Sequence, residues 1–82
     1  MQTLFINGSD YATPHALHLA LKRLLHLPAY YGCNADALYD CLSERKEKVN
    51  LCIASFGSDD VAAALRKCAA VIEDLGGDVK EL

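Results

Sequence analysis

Apolar positions fall along this chain in two kinds of block, short continuous runs and longer stretches at helical spacing. The run Gln2-Thr-Leu-Phe-Ile6 predicts a strand over 2–6, closed by the turn dipeptide Asn7-Gly8. Thr13-Pro14 signals a helix start: threonine caps the first amides, and proline fits the first turn, where its missing N–H has no partner to lose. Leu17, Leu21, Leu24 and Leu25 follow at helical spacing with Ala20 in the same stripe, and Pro28 stops the helix. Residues 29–33 read as an aromatic loop with a hinge at Gly32. Asn34 is the N-cap of a second helix running to about Glu44, with Leu38, Cys41 and Leu42 as its buried stripe. The segment 44–48 is charged and reads as solvated. Val49 to Phe56 is nearly all apolar, the pattern of a strand buried on both faces, and Gly57 breaks it. Ser58 or Asp59 then caps a third helix whose stripe is Val61, Ala64, Leu65, Cys68, Val71, Ile72 and Leu75; Gly76-Gly77 ends it. Residues 78–82 alternate like a short edge strand.

Strands separated by helices long enough to serve as crossovers predict an α/β fold, a small three-stranded parallel sheet packed by three to four helices. At 82 residues there is room for one core, so residues 1–82 are expected to form a single domain.

Eleven acidic and eight basic residues leave a net charge of −3, which argues against direct binding of nucleic acid and suits a basic protein partner. No apolar run approaches the roughly 18 residues of a membrane span, and the N-terminus lacks the features of a signal peptide, so the expected location is the cytoplasm, with no membrane partner. In that reducing compartment Cys33, Cys41, Cys52 and Cys68 are expected to be free, with Cys33 the exposed one and Cys41, Cys52 and Cys68 largely buried. No cysteine pair has the spacing of a zinc or redox motif. His15 and His18 stand three apart without a third ligand and read as a surface pair; no metal or other cofactor is expected. No combination of nucleophile, base and phosphate loop suggests an enzyme.

Residues 28–44 carry more information. No Lys or Arg occurs from Leu24 to Glu44, while Asp36, Asp40 and Glu44 recur every four residues and so line one helix face. Each like-charge pair at this spacing costs an isolated helix about 0.2–0.5 kcal/mol, which folding alone does not explain beyond the favourable dipole at Asp36. Tyr39 lies on a neighbouring azimuth, and Tyr30 and Tyr31 approach from the loop, Tyr31 suited to packing inward and Tyr30 to pointing out. Acidic residues on a helix face are commonly only solvated surface. Flanked by tyrosines, they also suit the gripping of a cationic groove.

The run Leu27-Pro-Ala-Tyr-Tyr-Gly-Cys-Asn-Ala-Asp-Ala-Leu-Tyr-Asp-Cys-Leu42 resembles the barstar family of ribonuclease inhibitors, whose hallmark reads L-P-x-Y-Y-G-x-N-x-D-A-L-W-D-C-L. The early Ile6-Asn7-Gly8, the first-helix leucines, the apolar strand and the Gly-x-Asp turn before the last strand extend the resemblance over nearly the whole chain. It implies the same fold and an intracellular inhibitor, an immunity protein or antitoxin of bacterial type, that plugs the active site of a small basic ribonuclease in a 1:1 complex. Asp40 matches the family aspartate that occupies the nuclease's phosphate site, Asp36 the second acidic contact, and Tyr30 the tyrosine that stacks on the catalytic region. Asn34, Ala35 and Tyr39 match other interface positions, and Glu44 completes the acidic face. Four positions depart from the family: Tyr39 replaces Trp, Cys33 stands where an acid is usual, the strand ends Ala54-Ser55-Phe56 without the usual aromatics, and the acid of the last helix aligns near Val71, leaving Glu73 or Asp74 as substitutes. The alternative is a barstar-like interaction or regulatory module with no nuclease target.

Overall fold

The structure, a computed structural model, describes residues 2–45 and 48–82. Strand β1 is Gln2–Asn7, followed by a 3₁₀ turn at Gly8–Asp10; α1 is Pro14–Leu24, α2 Ala35–Ser43, β2 Val49–Ser55, α3 Asp59–Asp74 and β3 Val79–Glu81. The sheet order is β1-β2-β3 and both pairings are parallel, as the strand and helix succession predicts. Three α-helices form among the described residues.

Leu4, Ile6, Val49, Leu51 and Ile53 are buried and pack with Leu17, Leu21, Leu38, Leu42, Leu65 and Ile72 of the helices. Each such side chain contributes about 1.5–3 kcal/mol when taken out of water. The helices cover one face of the sheet. On the other, Phe5 is 71% exposed beside its register partner Cys52, which is only half-buried and in turn pairs with Lys80. The expectation that β2 is buried on both faces is therefore corrected. Its burial alternates, and the outward positions Asn50, Cys52 and Ala54 are the small or polar ones. Where β1 ends, Gly8 presses on the end of β2: a Cβ there would lie 2.5 Å from the Phe56 carbonyl carbon.

Helix α1 stops at Leu24, before Pro28 is reached. The amide of Leu27 donates to Lys22 O at 2.9 Å, and that of His26 to Arg23 O at 3.4 Å. These are the two bonds of a Schellman motif, and His26 takes the left-handed position with φ 53°. Helix α3 ends the same way, with Gly76 at φ 89° in the equivalent place. Histidine has a Cβ to accommodate, so the conformation that costs Gly76 little costs His26 about 1–2 kcal/mol.

All four cysteines are free. Cys41 and Cys68 are buried as expected, Cys52 is half-buried because its face of the sheet is open, and Cys33 is half-buried instead of exposed. Burial raises both inner thiols, Cys68 to about 11 and Cys41 also upward, with nearby Glu44 adding to the rise. Both stay protonated and unreactive at neutral pH.

Candidate partner-binding face

The segment expected to bind a partner hangs on Tyr31. Its ring is 6% exposed, and its hydroxyl lies 2.6 Å from His18 Nδ1 and 3.5 Å from the carbonyl of Asn34. Neighbouring residues in an extended or turning chain point opposite ways, so seating Tyr31 projects Tyr30 outward, 77% exposed. Left-handed geometry falls on Cys33 (φ 55°), not on Gly32, which corrects the hinge assignment. A Cβ on Gly32 would meet Ala37 Cβ at 3.4 Å and Asn34 Nδ2 at 3.5 Å, both ordinary contacts.

After Cys33 the chain turns into α2. Asn34 Oδ1 accepts the amide of Ala37 at 2.7 Å, its carbonyl accepts that of Leu38 at 3.0 Å, and its Nδ2 donates to Gly32 O at 3.3 Å. The asparagine that the family resemblance places at the interface is thus first a helix cap. Leu38, Cys41 and Leu42 face the core, leaving Asp36, Tyr39, Asp40 and Ser43 on the solvent side. Ala35, the first residue of the helix, is half-buried. Asp36 lies in the first turn, where the exposed amides favour its charge. Asp40 is exposed in mid-helix, and Tyr39 is 44% exposed beside it. Glu44 is the C-cap rather than part of the helix, an acid at the negative end of the dipole. Among the described residues no side chain hydrogen-bonds or pairs with the carboxylates of Asp36, Asp40 or Glu44. All the predicted contact residues lie in one segment, with Tyr30, Asn34, Asp36, Tyr39, Asp40 and Glu44 exposed and Ala35 half-buried.

Beside this face runs an open groove of about 650 Å³ in which Asn34, Ala35 and Asp36 meet Asp60, Ala63 and Lys67 of α3. Periodicity within α2 cannot show that α3 supplies charges next to Asp36, and the sequence reading missed both Asp60 and Lys67. Asp74 follows Lys67 and Ala70 on the same helical azimuth, whereas Glu73 lines a different groove with Arg66, Phe56 and Glu81. Of the two acids that could stand in for the family's last-helix residue, Asp74 shares the side of α3 that adjoins α2.

His18 corrects the surface-pair expectation: it is 5% exposed, while His15 remains outside. The signal was present, since His18 follows Leu17 and precedes Leu21 by three on the apolar side of α1. Burial, then the nearby His15, holds the His18 imidazole below its ordinary 6.5. Burial likewise pushes the Tyr31 hydroxyl far above its ordinary 10.0, with the neighbouring Cys68, Cys33 and Cys41 contributing. Both groups are neutral partners at pH 7. Because the folded pKa of His18 is lowered, the unfolded chain binds protons more readily below pH 6.5. The stability associated with His18 is complete above 6.5 and is lost as pH falls through that value toward the folded one. His18→Gln should flatten the decline in thermal midpoint between pH 7 and pH 5; an unchanged decline would place the proton uptake at another group.

Arg45 likewise departs from its expected place in a solvated charged run. It is half-buried and hydrogen-bonded to the His26 carbonyl; Lys46 and Glu47 of that run lie outside the described residues. Among the described residues no group of three or more His, Cys, Asp or Glu is placed to hold a metal ion, and no helix is long and apolar enough to cross a membrane.

The sequence is 46% identical over 43 residues to the protein named "Putative ribonuclease inhibitor YrdF" of Bacillus subtilis (strain 168). That alignment covers 52% of this chain and 47% of the relative, so the chain spans about half the length of the curated protein it matches. The family described as Barstar (barnase inhibitor) matches over residues 1–81, from the first strand through the last. With the three-stranded parallel sheet and the anchored loop and helix of residues 27–42 in place, this near-complete match settles the family: the chain belongs to the barstar family.

Proposed function

We propose that this protein inhibits a small basic ribonuclease by inserting the Tyr30–Glu44 face into its active site as a 1:1 complex, in the manner of an immunity protein acting in the cytoplasm. The observation that carries this reading is the row of exposed carboxylates without partners among the described residues, beside two exposed tyrosines on a well-anchored segment. An RNA-cleaving site displays cations that hold phosphate. A carboxylate entering that site accepts the same charge-assisted hydrogen bonds, bidentate where the donor is arginine. Asp40, in the middle of the helix, takes the phosphate position, and Asp36 makes the second acidic contact. Tyr30 lies flat on the catalytic region, with Tyr39 adding contact area. The half-buried Ala35 and the capping Asn34 present a low surface that lets the partner approach, and Glu44 extends the negative field. The chain supplies no catalysis in this scheme, and RNA is excluded by occupancy.

Titrated into barnase acting on RNA, the protein is expected to abolish cleavage at one equivalent. Undiminished cleavage at a tenfold molar excess would contradict the proposal, and would favour an interaction module without a nuclease target. The charge of the ridge should also appear in the kinetics. Screening shortens from about 30 Å at 0.01 M salt to about 10 Å at 0.1 M, so association should slow by about tenfold or more between 0.01 and 0.5 M. Stopped-flow association rates that do not respond to salt would mean that the docking surface is not the acidic one.

A further inference from the structure

Every residue assigned to the partner-binding face lies between His26 and Arg45, and these two are joined to each other. Arg45 Nη2 donates to the His26 carbonyl at 2.9 Å, across a sequence separation of 19. His26 is one of two described non-glycine residues held at positive φ, the other being Cys33 within the same segment. The left-handed position at the equivalent helix end of α3 is filled by Gly76, which needs no such support. We propose that Arg45 is a positioning residue: its guanidinium clasps the two ends of the segment and holds it ready for the partner, a role that rests on reading this face as the inhibitory one.

Three fixed points then define the segment. Leu38 and Leu42 seat α2 in the core, the Tyr31 hydroxyl meets His18 in the middle, and the Arg45 clasp fixes where the chain leaves α1 relative to where α2 ends. Without the clasp, the turn at His26 and the chain leading to Tyr30 are free to relax from the left-handed geometry. Tyr30 would then spend part of its time away from the position in which it can stack. Binding would have to reorder it, and pre-organisation lost in this way appears mainly as faster dissociation. The charge of Arg45 has the wrong sign to attract a basic partner. Steering and clasping therefore predict opposite outcomes when it is neutralised.

The test is Arg45→Met in the full chain, which keeps much of the stem and removes the donor and the charge. In the free protein, amide exchange is expected to accelerate about fivefold or more at Leu27 and Tyr31, whose amides bond to Lys22 O and Pro28 O, while Leu51 on β2 keeps its wild-type rate. Against barnase, dissociation should rise about fivefold, with association unchanged or faster. Unchanged exchange at Leu27 and Tyr31, or accelerated exchange with unchanged dissociation, would overturn the clasp. The exchange readout needs no partner. If wild-type protein fails to bind barnase, the inhibitor reading falls, and the role of Arg45 as a positioning residue for that face falls with it; the exchange rates still report whether the clasp orders the segment.

Discussion

Asp40→Ala should weaken inhibition of the nuclease at least ~30-fold and leave the protein as stable as before, or slightly more so. In the proposed complex the carboxylate would be desolvated among the cations that hold phosphate. Removing it leaves those buried charges without a partner, a loss of about 2–5 kcal/mol. At 1.4 kcal/mol per factor of ten, even the lower figure is about 30-fold in affinity. The effect on folding has the opposite sign for a local reason. Asp40 is exposed, its carboxylate has no described partner, and it lies one turn from both Asp36 and Glu44. Truncation relieves two like-charge contacts of about 0.2–0.5 kcal/mol each and installs a better helix former. The hydrogen bond from Ser43 Oγ goes to the Asp40 backbone carbonyl and survives the change. Asp36→Ala should differ, because its charge also supports the helix N-terminus. Paired measurements of chemical unfolding and nuclease inhibition on Asp40→Ala separate the two effects. A clearly destabilised variant, or one with unchanged inhibition, would make Asp40 a structural residue.

Leu38→Ala should do the reverse. Leu38 is fully buried on the opposite side of the same helix, two positions from Asp40, and belongs to the cluster that joins α2 to the sheet and α3. Removing its side chain forfeits the burial and leaves a cavity, at a cost of about 2–5 kcal/mol. That is a large part of the 5–15 kcal/mol that keeps a typical domain folded. Urea unfolding should show a midpoint reduced in proportion with little change in slope. A loss below about 1 kcal/mol would mean that α2 can repack or detach without consequence, and the ridge would then lack a rigid base.

What sequence reasoning recovered here is what depends on spacing along one element. The apolar stripe of α2 fixed which side faces the core and hence that Asp36 and Asp40 face out, and the parallel sheet followed from helices between strands. That Tyr30 and Tyr31 point opposite ways followed from their adjacency. The misreadings concern relations between elements. Whether β2 has one covered face or two depends on how many helices cover the sheet, and three helices cover only one side. His18 reads as surface by its polarity, yet its place beside Leu17 and Leu21 favours burial, and the partner that satisfies it, Tyr31, is 13 residues away. Helix α1 ends at Leu24, and the chain turns away at His26 in a backbone conformation usually left to glycine, so the proline two residues beyond His26 drew the boundary instead. The charges that α3 contributes beside Asp36 and the bond from Arg45 to His26 join distant parts of the chain, and no local pattern announces them.

The central claim is that the partner docks on the Tyr30–Glu44 face, and mapping the contact by nuclear magnetic resonance tests it most directly. Isotope-labelled protein titrated with unlabelled barnase should show its largest amide perturbations at Tyr30, Asp36, Tyr39 and Asp40, with Phe5, Cys52 and Lys80 on the open sheet face unmoved. Perturbations centred on that sheet face, with the acidic helix silent, would contradict the claim.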